Sequence, residues 1–153
     1  MKYKFFWGGK FSNWYVSDNQ FTVDGITYYC GEQYMMYQKA MLFNDFESAN
    51  MILEEYLPAE QKKLGRKVKN FDANLWNKVS YDLVKKGLRE KFTQNEDLKD
   101  YIKKHKGYQI VEASPYDTIW GIGFDSDNAL ANIDKWGENR LGKILTDLSK
   151  EIE

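Results

Sequence analysis

Short runs of aromatic and β-branched residues open the chain and predict strands. The runs cover residues 3–7 and 21–29, and a loop rich in Gly, Ser, Asn and Asp separates them. The pair Asp24-Gly25 interrupts the second run and is typical of a type I′ turn. The first 30 residues are therefore predicted to form one strand followed by a β-hairpin.

Beyond residue 30 the apolar positions recur with the 3.6-residue period of an α-helix. One helix is predicted from near Gly31 to near Asn44. Pro58 suits the first turn of a helix, and Asp72 and Asn95 are predicted N-caps. Five further segments are predicted to be helical: residues 45–56, 58–68, 72–92, 95–106 and about 138–149.

A late strand is predicted over residues 108–114, and residues 115–124 are predicted as a turn or short irregular stretch. No linker, repeat or low-complexity tract divides the chain, and 153 residues suit one domain. The predicted fold is α+β: a single compact, helix-rich domain over residues 1–153 with a small, mainly antiparallel sheet.

The first predicted helix is apolar nearly all round and yet carries two charges on one face. Glu32 and Lys39 share a stripe, and their backbones are about 10 Å apart along the helix axis. Such a helix is usually buried, and an unpaired buried charge costs several kcal/mol. In the structural interpretation, Lys39 extends to the surface and Glu32 caps a neighbouring backbone. In the functional one, both face a polar cavity that holds a small ligand.

Two other segments combine polar and aromatic residues. In the loop, Ser12 and Asn13 could satisfy backbone groups, but Trp14 among them indicates a loop that contacts a ligand. Later, a strand ends in Glu112, and a Pro-containing turn then brings Asp117 and Trp120 three residues apart. Either Asp117 caps the turn and Trp120 packs in the core, or both contact a ligand. The glycines of "GIG" lack the third glycine of a dinucleotide fingerprint, which excludes a Rossmann site.

Three further residues with reactive or charged side chains are candidates for a functional role: Arg66, His105 and Cys30. Arg66 follows Gly65 in a basic run and is the candidate for phosphate, because a guanidinium makes bidentate contacts. His105 lies within a lysine run and is expected to be exposed. Cys30 is expected to be a small buried residue rather than a nucleophile, since no His partner is evident.

Charge and composition limit the possible classes of protein. With 22 basic and 23 acidic side chains the net charge is −1, which does not favour long duplex nucleic acid. A local basic patch could still hold a phosphate or a strand end. One Cys and one His exclude an internal disulfide and a zinc cluster. The N-terminus lacks a signal-peptide core, and no segment approaches the roughly 20 apolar residues of a membrane span. A cytoplasmic protein without metal or membrane partner is expected.

Taken together, several motifs in fixed order resemble one known family. They are "FFWGGKFSNWY", "FTVDGITYYCGEQYMMYQKAMLF", "QKKLGRKVKNFD", "GLREKFTQNEDL", "VEASPYDTIWGIG" and "WGENRLGKIL". The sequence resembles the YbiA-like, or NADAR, family of N-glycosidases from about Phe5 to Leu145. The resemblance implies a helix-rich α+β fold and no metal or redox cofactor.

The resemblance also implies an activity, namely cleavage of the bond between a nitrogen and C1′ of a ribose. Implied substrates are phosphoribosylamino-pyrimidine intermediates of riboflavin synthesis, or ADP-ribose attached to guanine, so that nucleic acid is a partner only as a modified substrate. The matching positions imply that Lys39, Glu32 and Asp117 are catalytic. The implied substrate-binding residues are Ser12, Asn13, Trp14, Trp120, Arg66 and Glu112. Gly31 departs from the family pattern, which often has serine before the glutamate.

Two routes for the reaction remain open, with Lys39 forming a Schiff base or a carboxylate guiding water directly. The first route requires a lowered Lys39 pKa, so Glu32 is expected to lie beyond direct contact with Lys39. Asp117 is expected to hold ribose hydroxyls or carry a proton, and Trp120 to stack on the base or sugar. The alternatives to an enzyme are a non-catalytic module that binds ADP-ribose or a nucleotide, and a protein-interaction domain.

Overall fold

Four strands and seven α-helices make up the computed structural model, which describes residues 1–153. Contacts between residues divide the chain into two compact units. Residues 13–95 form the central unit, and residues 1–12 with 96–153 form the terminal unit. The predicted α+β class, rich in helix with little sheet, is confirmed. That residues 1–153 make a single domain stays a prediction.

The central unit begins with the predicted hairpin and continues with four helices. Strands β2 (Phe21–Val23) and β3 (Ile26–Tyr28) pair antiparallel. Asp24 and Gly25 have φ values of 50° and 83°, as a type I′ turn requires. The helices are α1 (Gly31–Leu42), α2 (Phe46–Glu54), α3 (Pro58–Arg66) and α4 (Ala73–Gln94).

Helix α1 is buried, as its composition predicted, because α2, α3 and α4 all pack against it. Gln33 is fully buried, and its Nε2 donates to the carbonyl oxygens of Ile52 and Glu55 at 3.0 and 3.2 Å. The Tyr34 hydroxyl donates to the carbonyl oxygen of Leu83 in α4 at 2.8 Å. Polar side chains of α1 therefore bond to the backbones of the helices around it, which orients the helix.

In the terminal unit, β1 (Lys2–Phe6) pairs with β4 (Tyr108–Glu112) in parallel, so the prediction of a mainly antiparallel sheet was wrong for this pair. About 100 residues separate the two strands in the chain. A connection of that length allows a parallel crossover, which a hairpin does not. The helices of this unit are α5 (Glu96–Lys104), the short α6 (Ser126–Ala129) and α7 (Arg140–Glu151).

Side chains occupy the edge of β4 that does not pair with β1. The Oδ1 of Asn139 accepts the Glu112 N–H at 3.0 Å, and its Nδ2 donates to the Ile110 carbonyl at 3.2 Å. The Oγ1 of Thr146 accepts the Ile110 N–H at 2.9 Å. Asn139 has φ 52°, a left-handed conformation that Asn tolerates. Helix α7 begins immediately after it, two residues later than predicted.

Two local predictions need correction. Asn95 directly precedes α5, but its Oδ1 accepts no hydrogen bond, so its side chain does not cap that helix; its Nδ2 donates to the Lys91 carbonyl at 3.1 Å. His105 is half-buried rather than exposed, because its ring packs at 5.1 Å from Phe11 and 4.7 Å from Tyr101. Cys30 is buried, as expected.

No group of three or more His, Cys, Asp or Glu is placed to hold a metal ion. None of the helices combines the length and apolar composition that crossing a bilayer requires.

Candidate functional site

Lys39 projects from the last turn of α1 and is half-buried. Its Nζ lies 4.4 Å from the centre of the Phe71 ring, and no salt bridge joins it to Glu32. Burial lowers the pKa of Lys39, the Glu32 carboxylate opposes this change, and Arg66 adds to it. The amine therefore loses its proton more readily than an ordinary lysine, which a nucleophilic amine requires.

Glu32 occupies the first turn of α1 and is only 4% exposed. Its backbone N–H donates to the Asn13 carbonyl at 2.8 Å, which fixes the start of the helix to the preceding loop. Electrostatic interaction links its carboxylate to Lys39, seven residues further along the same face. The helix thus holds an acid and an amine in a fixed relation, as the spacing predicted.

Asn13 is buried, and its side-chain Oδ1 has no hydrogen-bond partner. The Oδ1 lies against Gly31, where an added Cβ would come within 2.5 Å of it. Gly31 therefore makes room for the Asn13 amide, which explains physically why a serine does not fit here without a shift. A buried acceptor without a partner costs about 1–3 kcal/mol, so a donor from a ligand would relieve this cost.

The cations of the central unit that make no salt bridge include Lys39, Lys62 and Arg66. Lys62 and Arg66 are four residues apart on α3 and share a face. The Nζ of Lys62 lies 6.0 Å from the ring centre of Trp14, which is 46% exposed. Unpaired cations next to an exposed aromatic ring suit a phosphorylated ligand.

In the terminal unit, Asp117 caps its own turn. Its Oδ1 accepts the backbone N–H groups of Ile119 and Trp120, both at 2.9 Å. Asp117 therefore acts as a cap, as one interpretation of the sequence expected, but through only one of its two carboxylate oxygens. Trp120 is half-buried, and the guanidinium carbon of Arg140 lies 5.0 Å from its ring centre. Trp120 is therefore not a core residue, because its ring is partly exposed and lies against the charged Arg140 side chain.

The two other candidates of this unit contact backbone. The Glu112 carbonyl accepts the Ile122 N–H at 3.0 Å, and its carboxylate lies beside Gly121, where an added Cβ would come within 3.0 Å of Oε2. The Ser12 N–H donates to the Gly9 carbonyl at 3.0 Å. Glu112 thus helps to hold the segment that carries Asp117 and Trp120.

The candidates are consequently distributed over both units. Lys39, Glu32, Asn13, Trp14 and Arg66 belong to the central unit. Ser12, Glu112, Asp117 and Trp120 belong to the terminal unit. Within the central unit, Glu32 and Arg66 lie near enough to Lys39 for their charges to shift its pKa.

Comparison with known proteins identifies the family. The model of the NADAR domain matches residues 5–153. The chain belongs to the NADAR domain family. The family expected from the sequence motifs is thereby confirmed.

Relatives of this NADAR domain extend over nearly its whole length. It is 40% identical to "N-glycosidase R617" of Acanthamoeba polyphaga mimivirus, over 98% of this chain and 96% of that protein. It is 28% identical to "N-glycosidase YbiA" of Shigella flexneri, over 94% of this chain and 81% of that protein. The NMR structure of the E. coli protein YbiA superimposes with a TM-score of 0.79 at 26% identity, covering 98% and 84% of the two chains. These names support the predicted enzyme class, a hydrolase of N-glycosyl bonds.

Sequence reasoning missed Lys91, which is fully buried in this NADAR domain. Its Nζ lies 5.9 Å from the ring centre of Tyr15 and 5.8 Å from that of Phe92. Burial lowers the pKa of Lys91 to about 8. In the sequence Lys91 stands in the charged stretch "LREKF", but it follows Val84 and Leu88 at helical spacing. That spacing was the signal that could have placed it on the buried face.

The free energy of unfolding is expected to rise with pH because of Lys91. Between the folded pKa of about 8 and the ordinary lysine pKa of 10.5, the unfolded state binds up to one more proton than the folded state. The rise from pH 8 to 9.5 is of the order of 2 kcal/mol. Urea unfolding at these pH values should show this rise in wild type and not in Lys91→Met. Lys78→Met, an exposed change on the same helix, should keep the wild-type dependence; equal slopes in all three proteins would contradict the prediction.

Proposed function

We propose that this N-glycosidase hydrolyses the bond between C1′ of a phosphorylated ribose and a nitrogen of a nucleobase-like group. The candidate substrates are a phosphoribosylamino-pyrimidine intermediate of riboflavin synthesis and ADP-ribosyl-guanine or a related NAD-derived compound. Relatives named N-glycosidase support the reaction class. A Vibrio vulnificus relative named "Riboflavin biosynthesis protein VVA0006" supports the first substrate.

The observation that carries the proposal is the state of the Lys39 amine. It is half-buried on an aromatic ring, it has no salt bridge, and its pKa is lowered by burial. A lysine that only stabilises the fold would gain from a carboxylate in direct contact. An amine that must attack a carbon needs its proton removed, and the surroundings of Lys39 favour that removal.

In the first half of the proposed reaction, the C1′–O4′ bond breaks, the proton of the departing nitrogen passes to O4′, and C1′ becomes doubly bonded to that nitrogen. The neutral Lys39 amine adds to C1′, and the Glu32 carboxylate stabilises the positive charge that Nζ then carries. One amine proton passes to the departing nitrogen. The C1′–N bond breaks as the second amine proton follows, so the base leaves as a neutral amine and C1′ remains bound to Nζ as a neutral imine.

In the second half, the oxygen of a water molecule adds to C1′, and the Glu32 carboxylate carries one proton of the water to Nζ. The C1′–Nζ bond breaks as the remaining hydroxyl proton passes by the same route to Nζ, and the sugar leaves as an aldehyde that closes again to its ring. The overall reaction consumes one water, and both Lys39 and Glu32 return to their initial states.

The other candidates are proposed to bind the substrate. Arg66 would hold a phosphate of the substrate, and the unpaired Oδ1 of Asn13 would accept a hydrogen bond from it. Trp14 offers an exposed flat face. Asp117 would use its second carboxylate oxygen for ribose hydroxyls, since the first is bound to backbone. The remaining proposed binding residues are Ser12, Glu112 and Trp120.

Reductive trapping tests the proposal. The protein is incubated with a panel of ribosylated compounds, with and without borohydride, and the products are analysed by mass spectrometry. We expect one compound to be cleaved and, with borohydride, a sugar adduct that maps to Lys39. Lys63, an exposed lysine paired with Glu60, should remain unmodified. Turnover without an adduct on any lysine would mean that a carboxylate guides water directly.

One observation favours a second candidate function, a module that binds ADP-ribose or a nucleotide without turnover. Two backbone N–H groups already occupy Asp117 Oδ1, which suits a fixed binding group better than a proton carrier. The same panel separates the two functions, because the module would bind a compound and leave it intact.

A further inference from the structure

Two exposed aromatic rings of the terminal unit face each other. The ring centres of Trp7 and Tyr116 are 5.6 Å apart, and their planes are tilted by 52°. Trp7 is 58% exposed and Tyr116 is 84% exposed. Contact with Trp7 covers so little of Tyr116 that mutual burial does not explain why the two rings meet.

The rings lie after the ends of two parallel strands. Trp7 follows the last residue of β1, and Tyr116 lies four residues after the last residue of β4. Because the strands are parallel and paired from end to end, their carboxyl ends meet at the same edge. Ligands of parallel sheets bind beyond this edge. The segment that carries Tyr116 continues directly into the binding candidates Asp117 and Trp120.

Both rings have room to turn about their side-chain bonds, because each is more than half exposed. Tyr116 follows Pro115, and its N–H donates to the Ser114 Oγ at 3.3 Å. Trp7 precedes Gly8 and Gly9, and no heavy atom lies within 4 Å of a Cβ placed at either glycine. Gly9 has φ +72°, a conformation that glycine adopts without strain. Side-chain rotation can therefore separate the indole from the phenol without any movement of β1 or β4.

A flat ligand between the rings requires them to separate and turn parallel. A base stacks about 3.4 Å from its neighbour, so a sandwiched base needs ring planes roughly 7 Å apart. From the observed 5.6 Å between ring centres and 52° between planes, the rings must move apart and lose their tilt, which rotation of the two exposed side chains allows. Trp and Tyr rings stack on any nucleobase, since every base has a π-face.

We propose that Trp7 and Tyr116 form an aromatic clamp that binds a nucleobase by stacking. No cation lies over either ring, in contrast to Trp14 and Trp120, so the clamp suits the uncharged base rather than a phosphate. The choice of a nucleobase as occupant rests on the proposed function, in which every substrate carries such a group. The base comes either from a free nucleotide or from an unpaired position of a nucleic-acid strand.

Binding measurements test the clamp with ligands that differ only in the base. Guanosine 5′-monophosphate and adenosine 5′-monophosphate are titrated by calorimetry, with ribose 5-phosphate as the ligand that lacks a base. Trp7→Leu and Tyr116→Leu should each weaken nucleotide binding about 5- to 100-fold and leave ribose 5-phosphate binding unchanged. Trp7→Phe and Tyr116→Phe should restore most of the affinity, because a ring remains. Tyr56→Leu is the matched control, an exposed ring that pairs with Tyr29.

A single-stranded tetranucleotide distinguishes the two sources of the base. Loss of tetranucleotide affinity alone would assign the clamp to a strand, and loss for the mononucleotides would assign it to free nucleotides. Unchanged affinity for both in the Leu variants, equal loss for ribose 5-phosphate, or no measurable binding of either the mononucleotides or the tetranucleotide to wild type would overturn the clamp. Both rings are exposed, so thermal unfolding of the variants should match wild type and confirm that they fold.

A parallel turnover assay separates failure of the clamp from failure of the proposed function. If the Leu variants lose base affinity while no ribosylated compound is cleaved by wild type, the clamp stands and the proposed function fails. If wild type cleaves a compound and the Leu variants bind bases normally, the clamp is wrong and the proposed function stands.

Discussion

Replacing Lys39 with alanine should reduce kcat by at least about 1000-fold while substrate affinity changes less than about tenfold. The change removes the amine that bonds to C1′ and leaves Arg66, Asn13 and Glu32 in place to hold the ligand. Steady-state kinetics on the compound found by trapping measures kcat, and calorimetry with the same compound measures Kd. Lys63→Ala, on exposed α3 surface, should be indistinguishable from wild type.

The pH dependence of adduct formation distinguishes a reacting Lys39 from a lysine that only stabilises the fold. The rate of adduct formation should rise with pH as Lys39 loses its proton, because only the neutral amine attacks. Glu32 raises the pKa of Lys39, so Glu32→Gln should move this rise to lower pH. Arg66 lowers the same pKa, so Arg66→Ala should move it to higher pH. A Lys39→Ala protein that retains turnover would remove Lys39 from the reaction.

Replacing Gly87 with alanine should lower the free energy of unfolding by about 3 kcal/mol. A Cβ at Gly87 would come within 2.2 Å of the Tyr34 ring, which is fully buried against Phe21 and Tyr28. The ring cannot turn away, so α1 and α4 must separate and strain the bond from Tyr34 to Leu83. Urea unfolding measures the loss, and the midpoint of thermal unfolding should fall by roughly 6–12 °C.

The steric cause can be separated from the properties of the helix. In a Tyr34→Ala background, Gly87→Ala should cost nothing or stabilise, since alanine favours a helix over glycine and the ring is gone. Lys78→Ala, an exposed change in the same helix, should alter stability by less than about 0.5 kcal/mol. Equal losses with and without the Tyr34 ring would show that the close approach is not the reason.

Local chemistry made much of the fold predictable. The Asp24-Gly25 turn, the Asp72 cap and the burial of α1 each depend on residues close together in the chain. The relation between Glu32 and Lys39 followed from helical spacing, and the structure places both on α1. Their roles in the reaction stay predictions.

Features that depend on distant residues were not predictable in the same way. The parallel pairing of β1 with β4 joins the two ends of the terminal unit, and no local pattern specifies it. The burial of Lys91 depends on what packs over α4. The bonds from Asn139 to Glu112 and Ile110 require a left-handed residue beside a strand nearly thirty residues away. Asp117 could be read equally as a cap or as a ligand group, because one carboxylate can serve both.

The side chains along β4 also affect how copies of this protein behave together. A strand with free N–H and carbonyl groups along one side is a template on which another extended chain can add, and such addition seeds aggregates. Asn139 and Thr146 occupy those groups at Ile110 and Glu112 with bonds from the same chain. The β4 edge of this two-stranded sheet therefore presents little open backbone to other copies of the chain.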